Sequence, residues 1–228
     1  MLKVKVLTFQ AVNSSSGSEQ ICLPQNGPRS HARSAETRVR LLIGVLTPHP
    51  KARMNVSIML ATDTDALELA MLRKSVSEDL TRRHGQGHWS HGGSERGVLR
   101  DIRISRVLVA RAESPIIATL SLATKKPWAI DVNYFTPVRR SVDLLAMAVA
   151  PRAQGRGVGR QLITEAAAVA RDWPSQGIRL DAYDATAGAG MFYVKCGFQE
   201  VGRVVYRGTP LIYFELLLDS NPKNDASA

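Results

Sequence analysis

Gly155, Gly157 and Gly159 alternate with Arg156 and Val158, directly after an apolar run and directly before a helical pattern. Residues of that type at that spacing bind anions. Without a Cβ the backbone turns sharply and comes close to a ligand. The helix start gathers free N–H groups under a positive dipole end. Arg152, Arg156 and Arg160 add positive charge beside it. The stretch reads as a diphosphate cradle. Leu144 to Ala150 is unbroken apolar sequence, as expected of an interior strand covered on both faces. Pro151 cannot donate to a sheet ladder and ends it. From Val158 onward, Leu162, Ile163, Ala166, Val169 and Ala170 fall on one side of a helix.

Two familiar phosphate sites fit poorly. A P-loop closes its glycine run with Lys-Ser/Thr, whereas Gly159 is followed by Arg160 and Gln161. A dinucleotide fingerprint needs Gly-x-Gly-x-x-Gly and an acid further on. Gly155, Gly157 and Asp181 fit, but Arg160 takes the third glycine position and only one βαβ unit follows.

The elements that must position this cradle follow from periodicity. A strand begins after Met54, with Val56, Ile58 and Leu60 alternating. A helix capped by Asp63 or Thr64 runs to about Arg83, with Leu67, Leu69, Ala70, Leu72 and Val76 inward. A Gly-rich loop carrying His84, His88 and His91 leads to a second helix from Ser94 to about Ile104. Val107–Arg111 and Ile116–Ala123 form a hairpin. Thr124–Arg140 is a long connection whose Trp128 and Tyr134 are candidates for shaping an acceptor pocket, with Lys125 and Lys126 beside them. The cradle helix ends before Pro174, and Ile178–Tyr183 returns parallel to the apolar strand. A Gly-interrupted helix over Ala185–Lys195 and strands Phe198–Tyr206 and Leu211–Leu218 complete the order β-α-α-β-β-β-α-β-α-β-β. That is an α/β (α+β) class with one mixed sheet and a single parallel pair near its middle.

The formal net charge of the 228-residue chain is +10. Residues 1–53 hold eight basic and two acidic residues, +6 of that total, which leaves an ordinary +4 for the rest. The excess belongs to one segment, which argues against a nucleic-acid-binding body. Breakers at Ser14–Ser18, Asn26–Pro28 and Pro48–Pro50 leave residues 1–53 without periodicity, so they read as a disordered basic extension. Residues 54–218 are the expected folded domain and 219–228 a frayed tail. No apolar run approaches the length of a membrane span. Two cysteines without metal-ligand spacing point to a reducing cytoplasm and no metal centre, and the three loop histidines lack an accompanying ligand.

Gln154-Gly-Arg-Gly-Val-Gly159 is similar to the Gln/Arg-x-x-Gly-x-Gly/Ala signature of the GNAT superfamily, the acetyl-CoA-dependent N-acetyltransferases. Val149-Ala-Pro151 resembles the family's strand end, and Phe192-Tyr-Val-Lys-Cys-Gly-Phe198 its Phe-Tyr-x-Lys-x-Gly-Phe segment. The order of elements from Val56 to Leu218 resembles the GNAT order throughout. The resemblance implies a GNAT-like acyl-CoA acyltransferase fold and acetyl-CoA as co-substrate. It implies that Met147, Ala148 and Val149 meet the pantetheine arm through their backbone. Gln154, Gly155, Arg156, Gly157, Val158, Gly159 and Arg160 would hold the pyrophosphate, and Tyr193 would act as general acid. The apolar strand lacks the carboxylate that many members use as base, and Asp143 at its beginning is the nearest candidate. Acetyl transfer to a primary amine, on a small molecule, is the implied activity of a monomer or homodimer. A non-catalytic acyl-CoA sensor on the same fold is the rival.

Overall fold

The computed structural model describes residues 52–125 and 131–218, which belong to one compact unit. Most of the expected extension, the tail, Lys126 and Trp128 lie outside the described residues.

Among these, seven strands form one mixed sheet in the order β1-β2-β3-β4-β5-β7-β6. They are β1 (Ser57–Leu60), β2 (Arg106–Arg111), β3 (Ile116–Ala123), β4 (Ser141–Val149), β5 (Gly177–Tyr183), β6 (Gln199–Tyr206) and β7 (Thr209–Leu217). The helices are α1 (Ala66–His84), α2 (Glu95–Ile104), α3 (Val158–Asp172) and α4 (Gly190–Lys195). Only β4 and β5 run parallel. The expected order and the parallel pair are both present. α3 supplies the crossover between the parallel strands, as a parallel connection requires.

The unbroken apolar runs have a simple cause. β3 is buried at all eight positions, with α1 and α3 both packed on it. Leu69, Val76 and Leu80 of α1 are fully or almost fully buried, each contributing roughly 1.5–3 kcal/mol. Leu67, expected on that face, is 58% exposed. It cannot share the stripe that Leu69, Leu72, Val76 and Leu80 define at spacings of three and four, and it lies on the outward flank with Met71. The cap also falls earlier than expected. Thr62 precedes a 3-10 turn, Asp63–Asp65, that leads into α1, and Thr62 N–H donates to Asp65 Oδ2 at 2.7 Å. Ser94 caps α2 as expected, accepting from Gly97 N–H at 3.2 Å.

α4 is shorter than expected, six residues in place of a helix from Ala185. Gly188 turns back on Ala185, 2.7 Å from N to O, and the glycines at 188 and 190 add the entropic cost of glycine to any longer helix. Asp184, just ahead of this turn, pairs with Arg203 at 2.8 Å. Gly197, at φ +95°, follows α4 in the left-handed conformation that ends helices.

Candidate active site

The site lies where β4 and β5 part. Their pairing runs Ser141↔Gly177, Val142↔Ile178, Asp143↔Arg179 and stops there. Beyond Asp143 the β5-facing edge of β4 therefore offers backbone groups with no strand partner on that side. The β3-facing edge stays paired through Ala118↔Val149, but with a bulge. Four residues of β4, Leu145 to Ala148, span three of β3, Ser121 to Thr119, and Ala146 takes φ +50°. A bulge of this kind bends the strand and re-aims its backbone. It overlaps the start of the segment Met147–Val149 expected to meet a pantetheine arm.

The glycine loop sits at the open end of this split. Gly155 (φ +73°) and Gly157 (φ +79°) adopt the left-handed conformation that side chains resist, and Gly157 is the residue immediately before α3. α3 has no side-chain cap, which leaves its first N–H groups to a ligand or solvent. Gln154 closes the loop on the strand, Nε2 donating to Val149 O at 3.0 Å. Val158 and Ala153 are buried and anchor it, while Arg152 and Arg160 are exposed. Gly159 has a packing role. A Cβ there would stand 3.1 Å from the Phe192 ring and 3.3 Å from Met147 Cε, so its absence lets α3 meet α4 and β4.

The chain just ahead of β1 is tied to the same loop. Met54 N–H donates to Arg156 O at 3.1 Å, Arg156 Nε to Ala52 O at 3.2 Å, and Gln161 Nε2 to Met54 O at 2.8 Å. Ala52 and Met54 are thereby held against the loop from outside β1. Arg156, expected beside the phosphate, has its Nε turned to Ala52.

Tyr193 is fully buried on α4, against Phe192, Phe198 and Phe214 with ring centroids 5.3, 5.4 and 6.0 Å away. Its hydroxyl donates to Met147 Sδ at 3.8 Å, so it points to the part of β4 beside the bulge. Cys196 is half-buried, and burial pushes its thiol up against the opposing influence of Arg160. That leaves it a packing residue and a poor nucleophile.

The other face of the sheet holds what sequence reasoning missed. Strand alternation puts Asp143, Arg179, Asp181, Tyr183, Tyr213 and Glu215 on one side, opposite the Ile178, Leu180 and Phe214 that join the core with Tyr193. The loop after α1 folds onto this face. His88 stacks on Tyr183 with centroids 5.9 Å apart, and Trp89 meets the same ring edge-on at 5.8 Å. His88 Nε2 lies 2.7 Å from Thr209 Oγ1. Burial, reinforced by the Asp181 charge, pushes the Tyr183 phenol far above its ordinary range. Tyr134 packs edge-on to Tyr213 at 5.5 Å and covers Gly202, where a Cβ would fall 2.1 Å from its ring. Arg179 and Glu215 hold the connection before β4. Arg179 Nη2 donates to Thr136 O at 2.9 Å, and Glu215 accepts from Thr136 N–H at 2.9 Å. No residue spacing links His88 to Tyr183 across the chain, and only the periodicity of β5 could have flagged Asp181 and Tyr183 together.

Among the described residues no group of three His, Cys, Asp or Glu side chains is placed to hold a metal. Lys125 is exposed. No described helix is long and apolar enough to cross a membrane.

A mixed sheet split between its two parallel strands, with a Gly-rich loop and helix start at the opening, defines the acyl-CoA acyltransferase class. Residues 103–200 match the family description "Acetyltransferase (GNAT) domain". Solved structures agree on the fold. The yncA protein of Salmonella typhimurium, determined with acetyl-CoA, has a TM-score of 0.54 at 19% identity, over 75% of this chain and 98% of its own. A paia N-acetyltransferase from Thermoplasma acidophilum in complex with coenzyme A has a TM-score of 0.55 at 17% identity, over 72% and 99%. A ribosomal-protein-alanine N-acetyltransferase from Brucella melitensis has 0.54 at 21%, over 71% and 99%. No curated protein matches the sequence significantly. Over residues 103–200, then, the chain is similar to the GNAT acetyltransferases.

Proposed function

We propose that this chain is an acetyl-CoA-dependent N-acetyltransferase that transfers an acetyl group directly to a primary amine of a small molecule, with residues 54–218 as its folded domain. The observation that carries the reading is the glycine loop at the start of α3, set at the opening between β4 and β5 with the Tyr193 hydroxyl directed at β4. The residues present suit the co-substrate. Gly155 and Gly157 give a diphosphate close access to backbone N–H groups, and the unpaired edge of β4 suits the amides of a pantetheine arm. Acetyl-CoA held there supplies a thioester carbonyl open to attack.

In this reading Met147, Ala148 and Val149 offer backbone N–H groups to the pantetheine and to the oxyanion. Tyr193 holds its phenolic proton beside β4 and gives it to the departing sulfur. The acceptor enters from the opposite face, among Tyr134, Tyr183, Tyr213, His88 and Trp89. Of the two aspartates on that face, register favours Asp181 over Asp143 as the group that takes the amine proton. Asp143 pairs at the last closed position, whereas Asp181 lies two residues further toward the opening, about 7 Å along the strand. Direct transfer needs no acyl-enzyme, and half-buried Cys196 has no place in it. The cysteine content suits a reducing cytoplasm.

The test is turnover of acetyl-CoA with a panel of small amines, amino acids and peptides bearing free N-termini, read as free-thiol release. Acceptor-dependent release with small amines supports the reading. Tight binding without release on any acceptor replaces it with an acyl-CoA sensor, and peptide-only release moves the acceptor class to proteins.

A further inference from the structure

We infer that the residues immediately before β1 complete the phosphate end of this site, with the Arg53 guanidinium as a ligand for the diphosphate of coenzyme A. The inference rests on the proposed use of acetyl-CoA. Ala52 and Met54, on either side of Arg53, are both hydrogen-bonded to the glycine loop or the first turn of α3. Arg53 therefore has a fixed backbone although its side chain is exposed. That side chain crosses Gly157, where a Cβ would meet Arg53 Cγ at 3.6 Å. Gly157 is the left-handed residue that opens α3, so a side chain whose Cγ passes it has the length to bring its cation to the N–H groups that would face a phosphate. Arg156, the cation that the sequence places in the loop, sends Nε to the Ala52 carbonyl. The division of labour is thus the reverse of the linear motif. Arg156 serves as the tether, and Arg53 brings the charge from a part of the chain 104 residues earlier than Gly157. A guanidinium is suited to this, because its planar fork matches two phosphate oxygens at once.

The experiment compares full-length protein with Arg53→Gln and Arg53→Lys. Calorimetric binding of coenzyme A and of pantetheine, which lacks the diphosphate and the 3′-phosphate, is measured at low and high salt. Expected for Arg53→Gln is about a tenfold weaker coenzyme A affinity at low salt. The gap should narrow as salt rises, with Arg53→Lys recovering part of the loss. Pantetheine affinity and melting temperature should stay at the wild-type level. Equal coenzyme A affinity in wild type and Arg53→Gln overturns the inference, as does an equal loss of pantetheine affinity, which would mark a general disturbance of the loop. Wild-type protein that binds neither compound overturns the acetyl-CoA reading itself.

Discussion

The Tyr193 hydroxyl donates to the Met147 thioether, from α4 to β4, across 3.8 Å. A thioether is a weak acceptor, so this bond adds little to stability. The ring does the packing, with three aromatic neighbours and no solvent exposure. Position and chemistry can therefore be separated. Tyr193→Phe should unfold within about 1 kcal/mol of wild type and bind acetyl-CoA normally. Its kcat should fall by roughly a hundredfold, the lower end of what a positioned general acid contributes. Urea unfolding, coenzyme A binding and steady-state turnover measured on one preparation check all three. Full turnover would reduce Tyr193 to a wall of the site.

The start of α1 is held by charge as well as by packing. Asp65 accepts from Thr62 N–H at 2.7 Å, from Thr62 Oγ1 at 3.1 Å and from Arg111 Nη2 at 2.6 Å. Burial opposes the charged form, but these hydrogen bonds outweigh it and hold the Asp65 carboxyl below its ordinary 3.8. A folded-state pKa below the unfolded one means stability that is complete above the unfolded value and lost as pH falls through the folded value. Asp65→Asn should cost about 1–2 kcal/mol at pH 7. The difference from wild type should shrink as pH falls below the ordinary 3.8 and through the lowered value of the folded protein, where the wild-type carboxyl takes up its proton. Chemical denaturation at neutral and acid pH reads this directly. A deficit that stayed constant to pH 2 would assign the loss to shape and not to charge.

What the sequence disclosed was local. The glycine loop, the strand before it and the helix after it are contiguous, and their periods and breakers are strong, so Leu144 to Asp172 was legible almost residue by residue. The segment around Tyr193 was legible for the same reason. Contacts between distant segments were not. The bulge at Ala146 hides inside Leu-Leu-Ala-Met-Ala-Val, because nothing in that composition demands a positive φ and the register with β3 alone creates it. The tether from Ala52 and Met54 to Arg156 joins positions with no shared pattern, so no sequence signal announces it. α4 was overextended because Ala185–Ala189 has helical composition, while the turn at Gly188 and the pairing of Asp184 with Arg203 are tertiary facts.

The same long-range pairing governs the last expectation, which concerns Asp181. It sits on the acceptor face with Arg179, Tyr183, Tyr213, Glu215 and Asp143, and with His88 brought in from the loop after α1. Arg179 and Glu215 are committed to Thr136. The Tyr183 phenol is pushed far up, first by burial and then by Asp181. The Tyr213 phenol is also raised, mainly by burial, with Asp181 contributing. Both therefore stay protonated through the neutral and mildly alkaline range, where they can donate a hydrogen bond but cannot take a proton from an amine. That leaves the proton to a carboxylate of this face, and register puts Asp181 nearest the opening. Asp181→Asn should lower kcat/KM at least tenfold and flatten the acid limb of its pH profile. Asp143→Asn, two residues further from the opening, should leave that limb in place. The two pH profiles, recorded with one amine acceptor, decide between the carboxylates. A lost acid limb in Asp143→Asn alone would move the proton acceptor to β4.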